Sequence, residues 1–430
     1  MEYLKNKYLA ALYVILGIAV YIFAVVLSGS SIGIREILVG VAVFVLYYIA
    51  DIFDLDDNRY KLKIFLVSIG VNAVLAVFSL LFMTINEAVL IFGFQFAYQN
   101  IAKIIIFDLF LKEKGILIAG LNYKTEMLKK IIATKGMYHV VGIVTADGIV
   151  KDGNNILGKY SDMVEISKKY SVDKVIVVEE GIFEQELLSK LLSVKLEGIR
   201  VYNFLDFYEK IEEKIPVKTI NENWFLFGNG FELIHNNLYI RIKRIADLLF
   251  AVIISIPAIP IMAFSALIIK IESKGPIFFI QERIGKGNKR FKIVKFRSMV
   301  VHDKEKHSKY AGEQDSRITR FGKFMRKTRI DELPQLYNVF KGEMSFVGPR
   351  PEWDELCLNY MEKIPFYSLR HSVQPGLTGW AQVNYSYGAS IEDAVEKLQY
   401  DLYYIKNYSL MLDIIIFFKT IKTVIFGRGR

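Results

Sequence analysis

Five apolar runs constrain this chain more than any motif in it. Four come one after another at the start, over about Tyr8–Ser28, Ile37–Ile52, Ile64–Met83 and Ala88–Phe110. A bilayer helix needs about 20 apolar residues, which three of these approach and the second falls short of. Lys5 and Lys7 precede the first run, Arg59, Lys61 and Lys63 lie between the second and third, and Lys112 and Lys114 come after the fourth. The first outer loop carries only Arg35. Positive charge stays inside, so both ends of a four-helix transmembrane anchor (residues 1–112) are expected in the cytoplasm. The first run is full length and lacks a small-residue cleavage pattern, so no cleaved signal is expected.

The fifth run, Leu248–Ile269, is uncharged for 22 residues. Arg241, Lys243 and Arg244 precede it, and Lys270, Lys274 and Arg283 come after it. Basic residues at both ends argue that both stay on one side. Pro257 and Pro260 each remove a helix hydrogen bond mid-run. The expectation is a re-entrant helix hairpin over 244–270, broken at the prolines. The alternative, a kinked fifth span, carries everything after it across the membrane.

The C-terminal part of the chain is basic. From Arg241 onward there are 31 Lys+Arg against 19 Asp+Glu, while the rest of the chain has 24 against 26. This part therefore faces something anionic, such as lipid headgroups or nucleotide. Nucleic acid is not expected, because no zinc ligand set or binding module accompanies the charge. With Cys357 alone, no intrachain disulfide can form.

Between the two apolar regions, residues 113–236 alternate short strands with helices. Ile116–Ala119, His139–Val144, Lys174–Val178 and Ile199–Tyr202 read as strands, with helices over Lys124–Ile132, Asp162–Tyr170 and Glu184–Leu192. This predicts a Rossmann-like α/β domain with a parallel sheet. Its first turn, Gly120-Leu-Asn-Tyr, lacks the phosphate-cradling glycines, so dinucleotide binding is not expected. Tyr170 and Lys174 have the spacing of a Y-x-x-x-K pair, read here as coincidence. A regulatory or assembly role fits the domain better.

The chemistry concentrates between Arg329 and Pro351. Asp331 and Glu332 are adjacent, Pro334 lies in the next turn, and Gly348-Pro-Arg350-Pro forms a rigid turn presenting one guanidinium. Upstream, Arg317, Arg320, Lys323, Arg326 and Arg329 recur every three residues. Two carboxylates among so many cations suggest phosphate chemistry. A lone Asp-Glu-x-Pro is equally an ordinary helix start, with a first-turn acid and a tolerated proline.

Further blocks decide between these readings. Lys243-Arg-Ile-Ala-Asp247, Pro276-Ile-Phe-Phe-Ile-Gln-Glu-Arg283, Lys295-Phe-Arg297-Ser-Met, the Asp331–Pro351 stretch and Leu369-Arg-His-Ser-Val-Gln-Pro-Gly-Leu-Thr-Gly-Trp-Ala-Gln-Val-Asn384 occur in one order. Together they resemble the bacterial sugar transferases, monotopic polyprenyl-phosphate sugar-1-phosphate transferases. The four spans and Rossmann-like insert resemble the long form of that family.

The resemblance implies a mainly α catalytic domain over 237–430. It implies that Asp331 attacks the β-phosphate of a UDP-sugar, expelling UMP, and that polyprenyl (undecaprenyl) phosphate then takes the sugar phosphate. Glu332, with Asp331, would hold Mg²⁺. Arg350, Lys295, Arg297 and Gln382 are the candidates for the substrate's phosphates and nucleotide, with Trp380 beside Gln382. The implied location is the bacterial inner membrane, multi-pass, with both the Rossmann-like and catalytic domains on the cytoplasmic face. The implied role is the first step of exopolysaccharide, capsule or O-antigen synthesis. A homodimer is one candidate assembly. The competing readings are a glycosyltransferase that moves the sugar alone and releases UDP, and a non-enzymatic scaffold.

Overall fold

The structure is a computed structural model and describes residues 2–29, 33–49, 68–69, 71–73, 75–76, 79, 83–110, 114–135, 138–148, 155–179, 184–300, 317–385, 388 and 390–425. The chain divides into two compact units, Met1–Phe207 and Tyr208–Arg430.

The first unit opens with helices α1 (Glu2–Leu27), α2 (Ile34–Ile49) and α3 (Ile85–Phe110). Their interior packs Tyr21, Val25, Val43, Ile91 and Phe92 together. Polar groups pair inside: Gln95 Nε2 donates to Gly17 O at 2.8 Å, Tyr47 OH to Asn72 Oδ1 at 2.6 Å, and Asn72 Nδ2 to Gln99 Oε1 at 3.1 Å. Ile15, Phe23, Val26, Ile37, Ile85 and Val89 point outward and are exposed. Hydrogen-bonded polar groups inside and bare apolar side chains outside suit a lipid solvent. The expected third span and the basic loop before it fall largely outside the described residues.

A five-stranded parallel sheet completes this unit. Its strands are β1 (Lys114–Ala119), β2 (Tyr138–Thr145), β3 (Ile156–Lys159), β4 (Val172–Val177) and β5 (Arg200–Asn203), in the order β3-β2-β1-β4-β5. Helices α4 (Tyr123–Lys135), α5 (Met163–Lys169) and α6 (Gln185–Leu196) alternate with the strands, and α7 (Phe204–Glu212) comes after β5. Leu117, Ala119, Val144, Val175 and Val177 form the core with Met163, Leu187 and Leu191. All four expected strands are present. β3 is an addition that pairs at the edge, Ile143 opposite Ile156 and Thr145 opposite Lys159. Tyr170 is exposed at the end of α5, whereas Lys174 is buried with its ammonium 4.2 Å from the Tyr138 ring centroid. The Y-x-x-x-K spacing therefore makes no catalytic pair.

In the second unit, α8 (Glu222–Phe227) precedes α9 (Asn237–Glu272), the one described helix long and apolar enough to cross a membrane. Helical structure runs unbroken through Pro257 and Pro260, so the expected break into two helices is not seen. Proline's fixed φ is compatible with a helix, and the turns on either side keep their bonds. Both ends of α9 are nonetheless tied to this unit. Near its start, Arg244 donates to Val339 O and Phe340 O at 2.6 and 2.8 Å, and Asp247 Oδ1 accepts from Ser345 Oγ and Phe346 N, both at 3.0 Å. At its end, Glu272 Oε1 accepts from Phe321 N at 2.9 Å, and Ile269 packs with Phe296 and Met325. Between these anchors Ile253, Ile256, Ile259 and Phe264 are exposed.

The rest of the unit is built on small elements. The hairpin β6 (Phe278–Ile284) and β7 (Arg290–Phe296) is antiparallel. Then come α10 (Arg320–Thr328), a 3-10 helix (Ile330–Gln335) and α11 (Leu336–Lys341). β8 (Ser345–Val347) pairs in parallel with β9 (Gly376–Thr378), and α12 (Asp354–Lys363) and a 3-10 helix (Tyr367–Ser372) connect them. α13 (Trp380–Asn384), α14 (Ile391–Lys406) and α15 (Leu410–Ile425) close the chain.

Candidate active site

Three short segments bring the charged groups together. The 3-10 helix carries Asp331 and Glu332, β7 carries Lys295, and the turn after β8 carries Arg350. Glu332 Oε1 accepts from Lys295 Nζ at 3.0 Å and from Arg350 Nη2 at 2.7 Å, with Arg329 Nη1 at 3.7 Å. Asp331 is buried, and its Oδ1 has no hydrogen-bond partner. A buried acceptor left without a donor is unusual in a folded chain and points to a role beyond packing.

The two adjacent acids are driven apart electrostatically. Burial pushes Asp331 above the ordinary carboxylate range and the Glu332 charge adds to that, against the pull of Lys295, Arg329 and Arg326. Burial also disfavours ionised Glu332, but Arg350, Lys295 and Arg329 outweigh it and hold Glu332 well below that range. Burial lowers Lys295 to about 8, with Glu332 opposing the shift. Neighbouring groups with divergent proton affinities often divide chemical roles between them. Here Glu332 is the fixed anion, and Asp331 is the more basic carboxylate with an unbonded oxygen.

The turn that presents Arg350 is held by backbone. Gly348 N donates to Thr378 O at 2.9 Å and Gly376 N to Pro349 O at 3.0 Å. A Cβ on Gly348 would lie 2.2 Å from Gln374 O, and one on Gly376 would lie 2.1 Å from Gly348 N. Only glycine allows the two chains to approach this closely. Arg370 adds a third tie, donating from Nη2 to Arg350 O at 3.0 Å and to Asp401 Oδ2 at 2.7 Å. Arg283 Nη1 donates to Pro351 O at 3.0 Å. Sequence reasoning missed Arg370 and Asp401. The one available signal was an acid, Asp401, among buried Leu402, Tyr403 and Tyr404 on α14.

Two other expected site residues, Arg297 and Gln382, donate to backbone carbonyls rather than to the Glu332 cluster. Arg297 comes just after the last residue of β7, and its guanidinium turns to the end of α9, donating to Ser273 O at 2.7 Å, Ser273 Oγ at 2.9 Å and Lys274 O at 3.1 Å. Arg297 thus satisfies carbonyls at a helix terminus. Gln382 Nε2 donates to Leu377 O at 3.1 Å and braces the corner between β9 and α13. Trp380 is buried, donates to Glu213 O at 2.8 Å and stacks on Tyr403, so its ring is committed to packing.

Among the described residues no group of three or more His, Cys, Asp or Glu side chains is arranged for a metal ion. A closed protein cage is therefore not what these residues offer. Adjacent carboxylates with one unbonded, buried oxygen fit a hard divalent cation that takes one or two carboxylates and fills its remaining positions from substrate phosphates and water.

The profile of the family described as bacterial sugar transferase matches residues 238–427, which include every residue of this cluster. The chain is 45% identical over 235 residues to the UDP-N-acetylgalactosamine-undecaprenyl-phosphate N-acetylgalactosaminephosphotransferase of Aeromonas hydrophila, covering 54% of each chain. It is 41% identical over 292 residues to the UDP-glucose:undecaprenyl-phosphate glucose-1-phosphate transferase of Escherichia coli, covering 66% of this chain and 61% of that one. It is 38% identical over 185 residues to the enzyme of the same name from Caulobacter vibrioides, covering 43% of this chain and 69% of that one. The chain spans about half the length of the first of these relatives. By profile and by likeness to proteins it largely covers, the chain belongs to the bacterial sugar transferase family.

Proposed function

We propose that the chain transfers a sugar-1-phosphate from a UDP-sugar to a polyprenyl phosphate, releasing UMP. The names of its relatives support the reaction class. The observation that carries it to residues is the unbonded oxygen of buried Asp331 beside a Glu332 whose Oε1 is bonded by Lys295 and Arg350.

In the first half-reaction Asp331 attacks the β-phosphorus. A carboxylate O–P bond forms, the P–O bond to the α-phosphate breaks, and UMP leaves with the electron pair. In the second, a phosphate oxygen of the polyprenyl lipid attacks the same phosphorus and Asp331 departs as carboxylate. The covalent intermediate divides one difficult displacement into two. Arg350 and Lys295 lower the repulsion between an anionic nucleophile and an anionic diphosphate, and being already in place they need not reorganise. Asp331 and Glu332 would hold Mg²⁺, which supplies further charge neutralisation at the substrate phosphates. The raised proton affinity of Asp331 makes it a better nucleophile than an ordinary carboxylate.

The lipid substrate lies in a membrane. The bare apolar middle of α9 supports contact of this helix with the bilayer, with the catalytic unit on the cytoplasmic face. The reaction would then begin a surface polysaccharide at the inner membrane.

The test uses the purified full chain, polyprenyl phosphate, Mg²⁺ and a panel of UDP-sugars. UMP release, a sugar-phosphate adduct on Asp331 in intact-mass spectra, and loss of both in Asp331→Asn are expected. Release of UDP would instead mean transfer of the sugar alone. Full turnover by Asp331→Asn would remove the covalent step.

A further inference from the structure

Arg329 joins α10 to the 3-10 helix that carries the dyad. Its backbone sits at φ 59°, ψ 15°, in the left-handed region, and its N–H donates to Met325 O to close α10. This is the helix-terminating position that glycine or asparagine ordinarily fills, because a Cβ is strained there. Nothing in closing the helix requires a guanidinium. Non-glycine residues held in this conformation gather where a side chain is needed for function.

The side chain supplies the second observation. Arg329 Nη1 lies 3.7 Å from Glu332 Oε1, beyond hydrogen-bond reach, while Lys295 and Arg350 bond that same oxygen at 3.0 and 2.7 Å. The side chain of Arg329 is 33% exposed, that of Arg350 29% and that of Lys295 14%. Lys295 and Arg350 bond Glu332 directly, whereas Arg329, the most exposed of the three, stands just beyond bonding distance of the same oxygen. A guanidinium fork matches two phosphate oxygens in geometry and charge.

We propose that Arg329 is a substrate-binding residue that contacts the diphosphate of the nucleotide-sugar donor, at the expense of backbone strain in the helix junction. The assignment of the donor rests on the transfer reaction proposed above. Bound substrate draws the guanidinium away from Glu332 onto phosphate oxygens, and the left-handed backbone aims it there.

The strain makes the test unusual, because removing a functional side chain should leave the fold as stable or more so. Arg329→Gly and Arg329→Lys are compared with the wild-type chain in detergent, by thermal melting, by calorimetric titration with UDP and by UMP release. Arg329→Gly should melt at the same or a higher temperature, bind UDP about tenfold more weakly, as expected for loss of one charge-assisted contact, and turn over more slowly. Arg329→Lys should restore part of the affinity. Wild-type UDP affinity in Arg329→Gly overturns the proposal, as does a clearly lower melting temperature, which would mark a structural role. A wild-type chain that binds UDP but releases no UMP overturns the transfer reaction, and the titration still decides whether Arg329 meets the diphosphate.

Discussion

The parallel sheet and the Glu332 cluster each gather polar groups where regular elements end, and they treat them in opposite ways. Where β1 and β4 lie side by side the strand order reverses, the place where doubly wound folds usually bind nucleotides. There the polar groups are matched internally. Val178 N donates to Ala119 O at 3.0 Å, Asn122 Nδ2 to Val178 O at 2.8 Å, and Tyr160 OH to Glu179 Oε1 at 3.0 Å. Asn122 also caps α4, accepting from Lys124 N at 2.9 Å. A Cβ on Gly120 would lie 2.7 Å from the Glu179 carboxylate, so an acid stands where a phosphate would be cradled. The Glu332 cluster has no such topology to recommend it, yet it leaves an acceptor on Asp331 unmatched and concentrates cations around its neighbour. Topology marks where ligands bind in other proteins; unmatched charge and hydrogen bonding mark the candidate site here.

That contrast can be broken most sharply at Lys295. Lys295→Met should lower UMP release by about a hundredfold to a thousandfold, the usual loss for a group that stabilises charge in the transition state. Wild-type activity should decline on the alkaline side near pH 8, as Lys295 loses its proton. Lys295→Arg, which stays charged, should move that limb to higher pH. On the acid side, activity should be lost above the ordinary carboxylate range, because a protonated Asp331 cannot attack. An acid limb in the ordinary range would mean that Asp331 is not the titrating nucleophile.

Arg370 sharpens the comparison through stability. Arg370→Met strands Asp401 in the interior and should cost about 3–5 kcal/mol, read by chemical denaturation. Burial pushes Asp401 up to about 6 even with Arg370 opposing the shift. A carboxyl raised in the folded state binds its proton more tightly there than when unfolded. The variant should therefore be weakest at neutral pH and recover as acidification neutralises Asp401. A pH-independent loss would show that the ion pair is not its source.

The smallest effect belongs to the sheet. Glu179→Gln should change UMP release by less than about twofold and stability by about 1 kcal/mol or less, since it exchanges one partly buried hydrogen bond for another. A large loss of activity there would mean that the sheet's polar edge takes part in the reaction.

Periodicity revealed the alternating strands and helices of the first unit because the strands carry short apolar runs, residues 116–119 in β1 and 175–177 in β4. It missed β3, whose four residues include Gly158 and end on exposed Lys159. Motif reading and the family resemblance picked out Asp331, Glu332, Lys295 and Arg350, which the structure brings into one cluster. It also picked out Arg297, whose guanidinium turns to the end of α9, because a motif conveys neighbours in sequence and not the end of a strand. Arg370 and Asp401 are 31 residues apart, and neither period nor spacing signals that they meet. The prolines of α9 signalled lost hydrogen bonds correctly but not whether the surrounding turns would hold.

The single oxygen of Glu332 that receives both Lys295 and Arg350 bears on how the site can change. Both cations lean on one atom, so a replacement at either shifts the resting place of the other. Their contributions should not add in a double-mutant cycle. Altered donor preference would then arise more readily by co-substitution of the pair than by single steps.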